Sequence, residues 1–176
     1  EELKKLELVI ADSQSTKNDF VNSAGGDIDK IMVVYPAVST CMSKGTVSKV
    51  NTQWTDRRHS KTAFILHVGN NSFYKNRAGV LRVFARIRKK FDVELKMAGQ
   101  PPGPELISLI RELDLTRYIH FVVNPEDDQI VELYHKAVLL LFPSIYEGFG
   151  WPPLEAMSCG CPVVCSTAGS LPEVVG

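Results

Sequence analysis

Two carboxylates and the backbone between them carry the strongest chemical signal in this sequence. Glu147 and Glu155 stand eight residues apart in Pro143-Ser144-Ile145-Tyr146-Glu147-Gly148-Phe149-Gly150-Trp151-Pro152-Pro153-Leu154-Glu155-Ala156-Met157. A carboxylate accepts two hydroxyl hydrogen bonds, which suits the diol of a ribose or a hexose. Gly148 and Gly150 give a backbone that a ligand can approach closely. Pro152 and Pro153 suit a first helical turn, where a missing N–H costs little. A helix starting there would aim unpaired N–H groups and partial positive charge back at the loop, an anion site suited to a diphosphate. The spacing predicts Glu147 in the loop and Glu155 in the first turn of that helix. Either glutamate alone is more simply a solvated or dipole-complementing side chain. The glycines, the prolines and the position after an apolar strand turn the pair into a candidate site.

Other chemistries find less support. The cysteines are Cys41, Cys159, Cys161 and Cys165. The last three are spaced C-x-C-x-x-x-C with no nearby histidine, not as the paired C-x-x-C units of a zinc site, and read as buried thiols. Asp127-Asp128 reads as a helix start before Ile130. His67, at a strand end near a loop, reads as a structural histidine. His59, His120 and His135 have no partner that the sequence can name. G-x-S-x-G is absent, as is G-x-G-x-x-G after the first strand, which argues against a serine-hydrolase elbow and a nicotinamide or flavin site.

The elements that would position the glutamates follow from hydrophobic patterning. The 176 residues are 44% hydrophobic and 23% charged, with zero formal net charge, the composition of a globular domain with a substantial core. Lys and Arg are dispersed, and the run Arg86, Arg88, Lys89, Lys90 reads as a solvated helix face, so no nucleic-acid partner is expected. No apolar stretch approaches the ~20 residues of a spanning helix. The chain opens on Glu1, Glu2, Lys4 and Lys5 with no signal-peptide pattern and no initiator Met. We expect a cytoplasmic protein that is a processed product or a piece of something longer.

Three zones are predicted. Residues 1–28 read as strand, cap and helix: Leu6 to Ile10, then Asp12, Ser13 and Ser15, then Thr16 to Val21, closed by Gly25 and Gly26. Residues 29–62 hold a crossover strand, Ile31 to Tyr35, and a polar loop over 39–60. Residues 63–176 alternate strands (64–68, 93–98, 119–123, 138–142, 162–165) with helices, including one whose apolar face is Val80, Phe84, Ile87 and Phe91, one marked by Ile130, Tyr134 and Ala137, one over 152–159, and one over 171–175. Such alternation predicts an α/β, Rossmann-like parallel sheet with helices on both faces, and puts the chemistry in the loops after Val68, Val123 and Phe142.

On these residues the chain resembles a known family. Glu147-Gly148-Phe149-Gly150 through Glu155 resembles the E-x(7)-E motif of retaining glycosyltransferases with the GT-B fold, the large group that includes sucrose synthases and bacterial mannosyl- and glucosyltransferases. Val68-Gly69-Asn70 through Lys75-Asn76 resembles that family's first phosphate loop, and Leu171-Pro172-Glu173-Val174-Val175 the segment after the E-x(7)-E helix. The likeness covers most of residues 63–176. It continues more weakly into Ala11-Asp12-Ser13 and Val33-Val34-Tyr35-Pro36, which resemble the crossover between the family's two domains.

The resemblance implies the donor half of a hexosyltransferase of mannosyl or glucosyl type, with a remnant of the acceptor domain in residues 1–28, the crossover in 29–62, and a nucleotide-sugar domain in 63–176 that is truncated at its end. The donor would be UDP- or GDP-linked, with no further cofactor and no bound metal at Asp127-Asp128, and the acceptor a glycan or lipid-linked sugar bound through the missing half. Peripheral membrane association of the longer enzyme, at the inner face, fits such an acceptor. Glu155 would hold the ribose hydroxyls and Glu147 the sugar; Lys75 would neutralise the diphosphate as the anomeric bond breaks. Gly69, Gly148, Phe149, Gly150 and Leu154 would approach sugar and phosphate, and Val123 and Asn124 the base. The family often has Arg after the glycine of its first loop. Asn70 stands there instead, and Arg77 is the candidate replacement. Without an acceptor wall the chain alone is expected to be inactive in transfer. A GT-B nucleotide-sugar epimerase and a non-catalytic nucleotide-binding or scaffold module remain the alternatives.

Overall fold

A computed structural model describes residues 7–25, 27–38 and 63–176. The polar loop expected over 39–60, with Cys41 and His59, lies outside the described residues.

Strand β1 (Val9–Ala11), helix α1 (Gln14–Ala24) and strand β2 (Ile31–Val33) form a small β-α-β unit whose strands pair in parallel, Val9 opposite Ile31. Ser13 caps α1 by accepting the Thr16 N–H, and Gly25 ends it in the left-handed region at φ 66°, a conformation that glycine adopts at no steric cost.

The remaining strands are β3 (Phe64–Val68), β4 (Glu94–Gly99), β5 (Ile119–Val123), β6 (Leu139–Phe142) and β7 (Val163–Cys165). The helices are α2 (Arg77–Arg88), α3 (Pro104–Glu112), α4 (Asp127–Lys136), α5 (Trp151–Ser158) and α6 (Leu171–Val175). All five strands are parallel, in the order β5-β4-β3-β6-β7. The predicted fold is therefore the observed one. Successive residues of β3 point to opposite faces and fill two cores. Phe64 and Leu66 join Leu140, Phe142, Tyr134, Ala156 and Leu171. Ile65 joins Leu95, Met97, Val80, Leu81 and Phe84.

Two expectations change at the level of elements. Phe91 is exposed and lies past the end of α2 instead of completing its apolar face. Helix α5 begins at Trp151, which puts Glu155 in its second turn, not its first. Asp127 and Asp128 do open α4, where Gln129 accepts the Glu126 N–H at 3.0 Å. No helix of the described residues is long and apolar enough to cross a membrane.

The β1-α1-β2 unit rests on the loops at the end of the larger sheet. Glu173 of α6 accepts the N–H groups of Gln14 and Ser15 at 2.9 Å each, and the Tyr35 hydroxyl at 3.0 Å. A carboxylate at a helix N-terminus satisfies orphan donors and complements the dipole. Here the carboxylate comes from 158 to 159 residues away in the chain. The hydroxyls of Ser13 and Thr16 donate to the Gly148 carbonyl at 2.6 and 3.0 Å.

Candidate functional site

The chain enters the five-stranded sheet at its centre, in β3, builds outward through β4 and β5, then crosses back to add β6 and β7. The strand order reverses between β3 and β6, and a ligand crevice forms at the carboxyl ends of the strands at such a switch point. The loops over 69–76 and 143–150 meet there. The Ile145 N–H donates to the Tyr74 carbonyl at 2.8 Å, and Asn76 Nδ2 to the Pro143 carbonyl at 2.9 Å. Asn76 also caps α2, its Oδ1 accepting the Gly79 N–H at 3.1 Å.

Lys75 and Glu147 face each other across this junction. The Lys75 ammonium donates to both oxygens of Glu147, at 2.8 and 3.1 Å. Their side chains are only 12% and 9% exposed. The ammonium also lies 5.0 Å from the Phe142 ring centroid and 5.5 Å from that of Tyr74, so aromatic faces reinforce its position. The Glu147 backbone is held from behind: Ser170 donates its N–H to the Glu147 carbonyl at 3.2 Å and its hydroxyl to the same carbonyl at 3.1 Å, and that hydroxyl also lies 2.6 Å from the Phe149 carbonyl. Gly169 makes this possible. Its φ is +57°, and a Cβ there would lie 2.5 Å from the Glu147 carbonyl oxygen.

Glu155 takes a different partner. The hydroxyl of Tyr134, from α4, donates to Glu155 Oε2 at 2.9 Å. Burial pushes the Glu155 carboxyl above its ordinary range, with Asp127 adding to the rise; the Tyr134 hydrogen bond and the charge of Lys75 oppose it. Beneath the junction, His67 is fully buried and its Nδ1 lies 3.0 Å from the Leu141 carbonyl. A carbonyl only accepts, so Nδ1 carries the proton. Burial, which outweighs that bond, and the positive charges of Arg77 and Lys75 lower His67 to about 4, so it is neutral at neutral pH. This is the structural histidine that the sequence suggests.

A family model described as "Glycosyl transferases group 1" matches residues 51–176. The chain belongs to this family. It is 41% identical over 99 residues, 55% of the chain, to the MMP alpha-(1->4)-mannosyltransferase of Mycolicibacterium hassiacum, and covers 24% of that protein. It is 28% identical over its whole length to the O-antigen chain mannosyltransferase B of Escherichia coli, and covers 47% of it. Among solved structures, Anabaena HepE in complex with UDP and glucose matches with a TM-score of 0.80 and 26% identity, over 97% of this chain and 47% of that one. WaaG, a glycosyltransferase involved in lipopolysaccharide biosynthesis, shares the fold at a TM-score of 0.75 with 19% identity, over 94% of this chain and 46% of its own. The fold is thus the Rossmann-like half of a GT-B glycosyltransferase, and the chain spans no more than about half the length of these relatives.

Membership in the glycosyl transferases group 1 family brings the individual predicted residues into focus, and several need correction. The helix mouth offers fewer amides than expected. Pro152 and Pro153 have no N–H, and the Leu154 N–H turns back to the Gly150 carbonyl at 3.5 Å. The amides before Leu154 in the chain that an anion site could use are those of Gly148, Phe149, Gly150 and Trp151. Phe149 itself is buried, edge-on to Trp151 with centroids 5.3 Å apart. Gly150 has φ +98°, and a Cβ would meet Leu171 Cδ2 at 2.8 Å, which ties this position to glycine.

In the first loop, Gly69 donates its N–H to the Ala98 carbonyl at 3.0 Å, and a Cβ there would meet His67 Nε2 at 3.2 Å and the Lys75 stem at 3.5 Å. Asn70 accepts the Ser72 N–H at 3.0 Å and so shapes the turn. Arg77 is no surface residue: it is 6% exposed, bonded through Nη1 to Asn71 Oδ1 and, at 3.1 Å, to the Gln100 carbonyl. It braces the loops after β3 and β4. Its Nε and Nη2 are buried without a partner among the described residues. At the sheet edge, Val123 is 48% exposed, two strands from β3, roughly 10 Å at the usual strand spacing. Asn124, at φ 45°, gives its N–H to the Gly99 carbonyl at 2.8 Å, so that amide is unavailable to a base.

Sequence reading missed Tyr134, Ser170 and Asn76. Tyr134 registers there only as a core position of α4, although a buried phenol needs a hydrogen-bond partner. Ser170 lies one residue before the segment that the family resemblance marks. A cavity of about 570 Å³ opens between α2, α3 and the loop after β3, lined by Asn71, Ser72, Phe73, Asn76, Arg77 and Leu106 among others. It borders the outer part of the same loop after β3 that carries Lys75, but none of Lys75, Glu147 and Glu155 lines it. Among the described residues no cluster of His, Cys, Asp and Glu could hold a metal ion.

Proposed function

We propose that this chain is the donor-binding part of a retaining hexosyltransferase, of mannosyl or glucosyl type, that uses a UDP- or GDP-linked sugar and transfers it to a glycan or lipid-linked acceptor. The observation that carries the reading is the meeting of Lys75 and Glu147 at the switch point, with Glu155 on the helix that follows. A diphosphate is a stronger partner for the ammonium than one carboxylate, so a donor entering the crevice would draw Lys75 to its phosphates and release Glu147 to the sugar hydroxyls. The amides of Gly148 to Trp151 would add fixed dipoles. When the anomeric C–O bond breaks, its electron pair moves onto the phosphate oxygen, and Lys75 and these amides stabilise that charge without reorganising. The acceptor hydroxyl then bonds to the anomeric carbon, and its proton passes to the departing phosphate oxygen. Glu155 would take the ribose hydroxyls and Val123 would border the base; the UDP and glucose bound in Anabaena HepE support a donor of this class.

A non-catalytic nucleotide-binding module is the second reading. It is favoured by the uncharged Asn70 in the first loop and by an Arg77 committed to Asn71 and Gln100. Calorimetry with UDP-glucose and GDP-mannose tests the donor site. One of them should bind, and Glu155→Ala should weaken it about tenfold, the scale of the hydrogen bonds lost. Binding of neither, or indifference to Glu155→Ala, would refute the site. Binding without transfer by the full-length protein would favour the module.

A further inference from the structure

Tyr134 is wholly buried, and its ring is held among Ala137, Leu140, Phe142 and Ala156. Its hydroxyl has one visible task, the 2.9 Å hydrogen bond to Glu155 Oε2. A carboxylate has about four lone-pair sites. A donor fixed on one of them stops the group rotating and leaves the other three oriented.

We propose that Tyr134 is a positioning residue of the donor site: its hydroxyl sets the orientation of the Glu155 carboxylate so that the remaining lone pairs meet the ribose hydroxyls of the nucleotide. This rests on the donor-site reading above. The phenol is a permanent donor. Burial, then the neighbouring Glu155 charge, raise its pKa far above the ordinary tyrosine value, with Cys159 and Cys161 adding to the rise. Its effect on Glu155 is also electrostatic. Burial and Asp127, at the start of α4, favour the protonated carboxyl; Tyr134 from the same helix and Lys75 from the loop after β3 favour the carboxylate. Removing only the hydroxyl takes away one of the two stabilising groups. Glu155 then protonates at higher pH, and ribose binding fails earlier on the acid side.

Calorimetry of UDP-glucose and GDP-mannose from neutral to acid pH tests this, because sugar diphosphate diesters do not themselves titrate there. Tyr134→Phe keeps the ring and should weaken binding about tenfold at neutral pH, with its acid limb moved to higher pH. With a 2′,3′-dideoxyribose analogue the difference between wild type and Tyr134→Phe should vanish. In Glu155→Gln, which still accepts from Tyr134, adding Tyr134→Phe should no longer move the acid limb, whatever Glu147 and His67 contribute to it. Equal affinity and equal limbs in wild type and Tyr134→Phe would overturn the proposal. So would an equal loss for ribose and dideoxyribose ligands, the mark of a purely structural tyrosine, or a Tyr134→Phe shift of the acid limb that persists in the Glu155→Gln background. If wild type binds neither nucleotide sugar, the donor-site reading fails first, which is a distinct result.

Discussion

Glu147 and Glu155 are the same side chain eight residues apart, yet they occupy opposite surroundings. Glu147 sits in a loop against a full positive charge, with aromatic faces around its partner. Glu155 sits on a helix against a neutral phenol, in a setting that makes ionisation harder. On the proposed donor-site reading, the difference divides the labour. A carboxylate neutralised by an ammonium is a latch that an anionic ligand must open. A carboxylate oriented by a neutral donor is ready to accept hydroxyls and needs no exchange of partners.

The largest effect expected from breaking this contrast is at Lys75. Lys75→Ala leaves Glu147 nearly buried without a counter-charge. Removing one partner of a buried ion pair costs about 3–5 kcal/mol, and partial contact with solvent places this one at the lower end, about 3 kcal/mol. Chemical denaturation measures it. The double variant Lys75→Ala/Glu147→Ala should regain much of the loss, because no charge is left stranded. If it does not, the cost is one of packing and the latch is the wrong picture.

The cationic side carries a second signature, in pH. His67 has its folded pKa depressed to about 4 from an ordinary 6.5. Between those values the unfolded chain binds the extra proton, so stability is intact above about 6.5 and falls as pH drops toward about 4. The loss is roughly 3 kcal/mol when complete. His67→Gln should flatten that slope relative to wild type in denaturation at several pH values. An unchanged slope would mean that His67 is not held neutral beneath Lys75.

These contrasts also mark what the sequence could and could not reveal. Runs such as Phe64–Val68 and Leu139–Phe142 are apolar because both faces of a parallel sheet are buried, so the strands and their order of alternation with helices were legible. The placing of Glu147 and Glu155 about a strand-to-helix loop was legible too, because glycine, proline and carboxylate spacing mark such a loop; Lys75 was singled out only through the family resemblance. Partners were not. Sequence patterning reports which face of α4 is buried, not that the Tyr134 hydroxyl reaches a carboxylate 21 residues later. It suggested Arg77 as the replacement cation, but burial draws that guanidinium toward Asn71 and Gln100. It placed Glu155 at the end of the first turn, but α5 opens one residue earlier, at Trp151 instead of Pro152, which moves Glu155 into the second.

The smallest of the expected effects separates the two carboxylates through the backbone. Ser170→Ala removes the hydroxyl shared by the Glu147 and Phe149 carbonyls and touches nothing at Glu155. It should cost about 1 kcal/mol, because the Glu147 carbonyl keeps the Ser170 N–H and only the Phe149 carbonyl loses its donor. The Tyr134 to Glu155 pair should keep its own pH behaviour in that variant.

The most direct measurement is a crystal structure with UDP-glucose or GDP-mannose, whichever binds. The diphosphate should lie within hydrogen-bonding distance of Lys75 Nζ and the amides between Gly148 and Trp151, with Lys75 drawn away from Glu147 and the ribose on Glu155. A nucleotide seated in the cavity between α2 and α3, with the Lys75 to Glu147 pair still closed at 2.8 Å, would contradict the account.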